Sequence, residues 1–394
     1  MKEFFKSAFA VYIREKNRIL ERKTLYGLTI FLPFLLSLIF IAIYYKGVVR
    51  EIPIAIYNED NSNLSKLAIR QFASAPSMKI YKYVNSLDEI KSEFRKGNIY
   101  GAIYFPKNLE KDIRKQRQTY VILYRTNGNL IIGNTLLRDF TTIAKSLSGK
   151  ILLTKIQKQK GLKEDQAKAI IQPIVIDTDS MFNPYYSYLY FLVPGLLTVT
   201  LYMVILVVTV LLFTSEKEHN TLKELFETAN FNIWAILVGK ATPHILLNFV
   251  TVLLFFNVLF PIFNIPIYGS ITLLLVFSLL FVVSCVLLGM AISAISPDQQ
   301  KATEIGLIIS TPAFILSGFT FPVWAMPKIY HLLADLIPYP HYLVGVVKIY
   351  QMNCEFKYVK SEFIALSLFA IISFIVIAIY LLKTKKQLIA GAEK

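Results

Sequence analysis

Charge is scarce in this chain: Asp, Glu, Lys and Arg make up 17% of its 394 residues, against about 25% in soluble globular domains. The shortfall sits in a few long runs that hold almost none, with one charged block between the first and the second. Those runs exclude a wholly water-soluble fold. Cysteine is nearly absent, and the two present, Cys285 in an apolar run and Cys354 in a loop, cannot build a disulfide framework. The four histidines, His219, His244, His331 and His341, lack metal-ligand spacing. There is no G-x-x-x-x-G-K-[ST] phosphate cradle: Gly149-Lys150 and Gly239-Lys240 lack the upstream glycine and the following Ser or Thr. No G-x-S-x-G elbow occurs either. No catalytic residue, metal ligand or cofactor site is assigned on this chain, which is not expected to be an enzyme.

What is abundant is apolar surface, at 55% of residues, and positive charge, at a net +16. Basic stripes mark phosphate binding, but membrane proteins gather Lys and Arg on their cytoplasmic side. With no zinc-ligand spacing, RNA-binding aromatic motif or basic zipper, nucleic acid is not an expected partner. A helix needs about 20 mostly apolar residues to cross a bilayer. Runs at 25–45, 188–213, 241–263, 271–295 and 363–382 qualify, and 303–318 is a short sixth. The expected fold is an α-helical polytopic membrane protein with six transmembrane helices and an inserted α/β extracytoplasmic domain on a helical stalk. No small-x-small cleavage site follows the first run near Tyr44-Tyr45-Lys46, so it reads as a retained anchor.

Positive charge sets the orientation. Residues 1–24 hold Lys2, Lys6, Arg14, Lys16, Arg18, Arg22 and Lys23, and the tail, 383–394, holds Lys383, Lys385 and Lys386. Both termini are therefore expected in the cytoplasm of a multi-pass inner-membrane protein. Residues 4–20 are amphipathic, with Phe5, Ala8, Phe9, Tyr12, Ile13, Ile19 and Leu20 on one arc. Such a helix lies in the bilayer interface; the competing reading packs it on a partner in the cytosol. The block at 46–187 is long enough to translocate whatever its charge. In it, strand-like runs at 52–57, 79–83, 100–105 and 120–124 alternate with helical ones at 64–73, 87–96 and 109–115, the pattern of a small α/β sheet. Helical segments at 130–160 and 164–171 read as a stalk returning to the membrane. Residues 188–382 then hold the other spans, with a Pro- and aromatic-rich stretch at 319–350 read as a re-entrant hairpin.

The informative cytoplasmic stretch is 215–240. Thr221 with Glu224 three residues on is a capping-box pattern, so a helix should start there. Leu222, Leu225 and Phe226 share a face of it at helical spacing. That face needs a cover, either a partner or the N-terminal helix. Here a resemblance enters. Glu216-Lys217-Glu218…Thr221-Leu222…Leu225 with Gly239-Lys240 resembles the E-x-E-x-G-T-h-E-x-L…G-K segment of ABC-2 type transporter permeases, with Asn220 where the family usually has Gly. Leu316-Ser317-Gly318-Phe319-Thr320-Phe321-Pro322 with Met326-Pro327 and Ile337-Pro338-Tyr339-Pro340-His341-Tyr342 is similar to that family's stretch after the fifth span. Ile54-Ala55-Ile56-Tyr57-Asn58-Glu59 and Tyr100-Gly101-Ala102-Ile103-Tyr104-Phe105-Pro106 look like the outer domain of its drug- and lipid-exporting branch.

The resemblance implies a permease paired with a second copy or a similar permease in the lipid bilayer. An ABC ATP-binding subunit would carry ATP and Mg. Glu216, Glu218, Thr221, Leu222, Leu225 and Phe226 would couple ATPase motion to the spans. The function implied is export of an amphipathic drug, lipid or glycolipid. Two rivals remain: a non-transporting membrane scaffold, and an ATP-driven energy transducer acting through the outer domain. Candidate gate or pathway residues are Glu304, His244, Asn248, Asn257, Phe319, Phe321, Pro322 and His341. For His244, Asn248 and Asn257 the competing role is hydrogen-bonded glue between helices. For Phe319, Phe321, Trp324, Tyr339 and Tyr342 the rival to a gate is an interfacial aromatic belt.

Overall fold

The computed structural model describes residues 2–160, 163–171, 181–183 and 187–392. Parts of the expected return to the membrane, 172–180 and 184–186, lie outside the described residues, as do the last two residues of the tail. The chain forms two compact units, Met1–Gly47 with Met181–Lys394, and Val48–Ser180.

Helix α1 (Lys2–Glu21) buries Ser7, Ala8, Val11 and Glu15, a stripe at helical spacing. The expected apolar arc is mostly elsewhere: Phe5, Phe9 and Leu20 are exposed, and a neighbouring, partly polar arc makes the contact. Helix α2 (Lys23–Tyr44) runs through Pro33, whose carbonyl accepts from Ser37 Oγ.

The Val48–Ser180 unit contains β1 (Ile52–Asn58), α3 (Asn63–Ala73), β2 (Met78–Val84), α4 (Leu87–Arg95), β3 (Gly101–Phe105), α5 (Leu109–Arg114), β4 (Ile122–Arg125), α6 (Leu130–Lys160) and α7 (Glu164–Ile171). The strands form one sheet in the order β2-β1-β3-β4. β1 is parallel to β2 and β3, with Ile54 opposite Ile80 and Ile56 opposite Ile103, and β4 is antiparallel to β3. Strand alternation sends Ile54 and Ile56 to one face, where Ile69, Phe72 and Leu136 cover them. It sends Ala55 and Ala102 to the other, under Ile90 of α4. Ser62 and Ser86 start α3 and α4 by accepting the N–H of Ser65 and Glu89.

The remaining elements are α8 (Tyr188–Thr209), α9 (Thr214–Glu218), α10 (Leu222–Thr228), α11 (Ile233–Leu254), α12 (Phe260–Ile262), α13 (Ile271–Ile295), α14 (Gln299–Ser310), α15 (Ala313–Leu316), α16 (Lys328–Asp335), α17 (Pro338–Tyr350) and α18 (Lys360–Ala392). A π-helical turn, Phe255–Leu259, carries α11 on into α12. Among the described residues, Tyr188–Glu218, Ile233–Ile262, Ile271–Ile295 and Lys360–Ala390 are long and apolar enough to cross a membrane. A fifth is added if α16 and α17, bent by 86° at their junction, count as one span. This is a polytopic, mostly helical membrane fold. The run expected as a single span at 303–318 is two helices, because Pro312 has no N–H to continue the ladder beyond Ser310. α13 lies centrally, packed by α8, α11, α17 and α18.

Candidate functional site

The last turn of the Tyr188–Glu218 segment carries three consecutive charged side chains, and each is tied to a different element. α8 ends at Thr209 and the chain loosens before α9; Ser293 Oγ of α13 accepts the N–H groups of Phe213 (2.8 Å) and Thr214 (3.0 Å) there. Glu216 then turns towards α1, where Arg14 grips its carboxylate with both terminal guanidinium nitrogens, at 2.7 and 3.1 Å, and Arg18 adds a third bond. Lys217 points the other way. Its ammonium donates to the carbonyls of Ser293 (3.2 Å), Ala294 (2.7 Å) and Ser296 (2.7 Å), satisfying the C-terminal end of α13. Glu218 accepts from the backbone N–H of Gln299 at 2.7 Å, fixing the start of α14.

Behind Glu216 lies a buried charge network. Lys240, fully buried near the start of α11, donates to Glu216 Oε1 at 2.9 Å and to Glu15 Oε2 at 2.6 Å. His244, one turn further along α11, is 3.1 Å from Glu15 Oε1. Gly239 makes this approach possible: a Cβ there would lie 2.6 Å from the Ala8 carbonyl oxygen and 2.7 Å from Val11 Cβ. Burial by itself raises the Glu15 pKa, but the Lys240 and His244 charges and hydrogen bonds outweigh it and hold the carboxyl well below the ordinary 4.5.

A carboxylate depressed in the folded state adds stability that is complete above its unfolded pKa and fades as pH falls through the folded one. The unfolding temperature of the protein in lipid nanodiscs should therefore retain the Glu15 contribution above pH 4.5 and lose it progressively at more acid pH. Glu15→Gln should flatten that acid limb. An acid limb of equal slope in the variant counts against a stabilising Glu15 pair.

The sequence pattern of the ABC-2 family transporter proteins matches residues 23–380. The chain belongs to the ABC-2 transporter family. Among relatives of this ABC-2 permease, the probable multidrug ABC transporter permease YbhR of Escherichia coli K12 is 25% identical over 352 residues, 89% of this chain and 91% of YbhR. The inner membrane transport permease YhhJ of the same strain is 23% identical over 380 residues, covering 92% and 93% of the two chains. ABC transporter G family member 20 of Dictyostelium discoideum is 23% identical over 296 residues, 75% of this chain but 39% of that protein.

Within this ABC-2 permease the residues singled out for coupling part company. Glu216 and Glu218 are the ties just described. Thr221 does not form a capping box: its hydroxyl donates to the Glu216 carboxylate and makes no side-chain cap at α10, although α10 does begin at Leu222. The turn before it holds Asn220 at φ +53°, the left-handed conformation a family glycine would adopt freely. Leu225 and Phe226 are fully buried within the chain's own core, which contains Ala8 and Val11 of α1, and Leu222 is partly buried. They are therefore no open docking face. The outward face of α10 is polar instead: Lys223, Glu224 and Glu227 are exposed, and Glu224 also accepts from Arg14 Nε at 3.1 Å.

The proposed pathway residues do not form one set either. His244 and Asn248 are buried, and the Asn248 amide donates to the His244 carbonyl at 2.8 Å, whereas Asn257 is exposed within the π-helical turn, where the helical phase shifts. Glu304 is exposed and accepts from Gln300 at 2.9 Å. Phe319 stacks on Phe191 with ring centroids 4.7 Å apart, Phe321 and Pro322 are exposed, and His341 is half-buried near Phe369. Tyr339 and Tyr342 lie inside the fold. Both are fully buried, Tyr339 donating to the Gly195 carbonyl at 2.9 Å and Tyr342 bonding Ser278 at 2.8 Å, so they fasten α17 to α8 and α13. Sequence reasoning overlooked Glu15 and the side chain of Lys240. The available signal was Lys240 and His244, two ionisable groups four residues apart at the start of an apolar helix.

Proposed function

We propose that the chain is the membrane-spanning subunit of an ATP-binding cassette exporter that moves an amphipathic drug, lipid or glycolipid outward. The observation that carries this reading is the run Glu216-Lys217-Glu218, which binds α1, α11, α13 and α14 into one unit beside the exposed face of α10. A push on α10 reaches all four helices at once. The push would come from a separate ABC ATP-binding subunit that holds ATP and Mg. Only contacts that differ between its two states can shift the membrane unit. The names of the relatives, multidrug permease and transport permease, support the choice of substrate class.

In this reading two such permeases pair in the inner membrane. It has the chain cross six times, by α2, α8, α11 with α12, α13, α14 with α15, and α18, with both termini in the cytoplasm, where their positive charge would hold them, and the Val48–Ser180 unit outside as an α/β domain. Leu307, Ile308 and Ile315 are exposed apolar residues on the broken fifth crossing, as a lipid-facing helix requires. Phe5, Phe9 and Leu20 of α1 would rest in the cytoplasmic interface.

The test is co-purification with the ATP-binding subunit, comparing wild type with the double variant Lys223→Glu, Glu227→Lys. Both residues are exposed and form an i,i+4 pair, so the exchange keeps the helix and its net charge but reverses the order of the two charges it presents. A drop in association of about tenfold is expected, since like charges across an interface cost several kcal/mol. Undiminished association removes α10 from the contact. ATP-dependent uptake into inverted vesicles then separates a pump from a scaffold or transducer, which would bind the ATPase and move nothing.

A further inference from the structure

The Val48–Ser180 unit carries a pocket of about 450 Å³ at the carboxyl ends of β1 and β2, the edge where open α/β sheets take their ligands. That volume falls within the roughly 300–1,000 Å³ of pockets that hold small organic molecules. Buried Ile56, Ile69 and Val84 supply the apolar part of its lining. Lys66 and Arg70 line it from α3, and Asn58, Asn61 and Asn85 from the strand ends and the turns that follow them. The Asn58 Oδ1 accepts the Asn61 N–H at 3.2 Å, which leaves the Asn58 NH2 as a donor. The side-chain amides of Asn61 and Asn85 have no hydrogen-bond partner among the described residues.

The charge on that lining has one sign. Lys66 and Arg70 lie four residues apart on one helix face, a spacing at which like charges repel and weaken the helix. Neither has a carboxylate partner among the described residues, and no Asp or Glu lines the pocket. The acidic groups close by in sequence are engaged elsewhere. Glu59 accepts from the Tyr57 and Tyr104 hydroxyls, and Asp60 from Ser62 and the Glu110 N–H. Glu89 holds Lys82 and the Asn85 N–H, and Asp88 holds Lys91. An anion between Lys66 and Arg70 would relieve their repulsion. A phosphomonoester carries nearly two negative charges at neutral pH, and its oxygens fit the fork of a guanidinium. A bare phosphate would leave most of the volume empty. Amides that both donate and accept suit hydroxyl groups in the remainder. We propose that this pocket binds a phosphomonoester of a small polyhydroxylated alcohol, its phosphoryl group between Lys66 and Arg70 and its hydroxyls on the asparagines. The site is independent of whether the permease exports anything.

The experiment titrates glycerol 3-phosphate into the full chain in dodecyl maltoside micelles, which contain no phosphate, and reads binding by calorimetry. Lys66→Gln and Arg70→Gln should each weaken binding about tenfold, the worth of one charge-assisted hydrogen bond. Both side chains are exposed, so the variants should keep the wild-type unfolding temperature. Lys150→Gln, which removes an exposed α6 cation that does not line the pocket, should bind like wild type. Asn85→Ala should weaken glycerol 3-phosphate and leave inorganic phosphate unchanged, which separates the hydroxyl contacts from the phosphoryl ones. Glycerophosphoglycerol, a singly charged diester like a lipid head group, should bind about tenfold more weakly than the monoester. Absence of glycerol 3-phosphate binding, affinity unchanged in both Lys66→Gln and Arg70→Gln, or an equal loss in Lys150→Gln would each overturn the proposal. So would a preference for the diester or for inorganic phosphate.

Discussion

Lys240→Met is expected to destabilise the membrane unit by about 3–5 kcal/mol, the cost of removing one partner from a buried ion pair. The ammonium lies between two carboxylates and is itself fully buried. Glu216 keeps Arg14 and Arg18 in the variant, so the burden falls on Glu15, whose other side-chain partner is His244. Glu15 must then take up a proton. The double variant Lys240→Met, Glu15→Gln should recover most of the loss, because a neutral amide no longer needs the cation, whereas Lys240→Met, Glu216→Gln should recover little. Thermal or denaturant unfolding in nanodiscs measures both. A single variant as stable as wild type, or equal rescue by both second changes, would show that Glu15 does not depend on Lys240.

The Val48–Ser180 unit was largely legible in the sequence because its signals are local. Alternation placed a strand at 52–57 and the structure has Ile52–Asn58; the long helical run expected at 130–160 is Leu130–Lys160. The candidate site was only half legible. Glu216 and Glu218 stood out in their motif, but Arg14 and Glu216 are 202 positions apart, and Lys240 and Glu15 are 225 apart. Nothing in a helical period announces such a pair. The capping box at Thr221 and Glu224 failed for a local reason: the buried Glu216 carboxylate, five residues back, competes for the threonine hydroxyl. Leu225 and Phe226 were correctly read as one face of a helix, yet period alone cannot say whether a partner or the chain's own α1 covers it. Tyr339 and Tyr342 look interfacial because aromatic rings with polar tips do gather at membrane surfaces. Inside the fold the same tips satisfy a carbonyl and a serine hydroxyl.

Gly239→Ala should loosen α1 from α11 even though it adds a single methyl group. The new Cβ would meet the Ala8 carbonyl oxygen and Val11 Cβ, atoms of the backbone and of a branched side chain that cannot swing aside. Overpacking of this kind costs about 1–3 kcal/mol, so amide hydrogens of α1 should exchange roughly ten- to a hundredfold faster. Gly149→Ala is the control: nothing lies within 4 Å of a Cβ there, and the same change inside a helix should be neutral or slightly stabilising. The consequence for coupling follows from the same geometry. Moving α1 withdraws Glu15 from Lys240 and His244, and Arg14 from Glu216 and Glu224, while Lys223 and Glu227 of α10 stay paired with each other. ATPase association should therefore survive in Gly239→Ala while ATP-driven transport falls, a split that a simple loss of fold would not produce. Unchanged exchange in α1 would mean that the two helices part without cost, and that the buried charges are not what joins them.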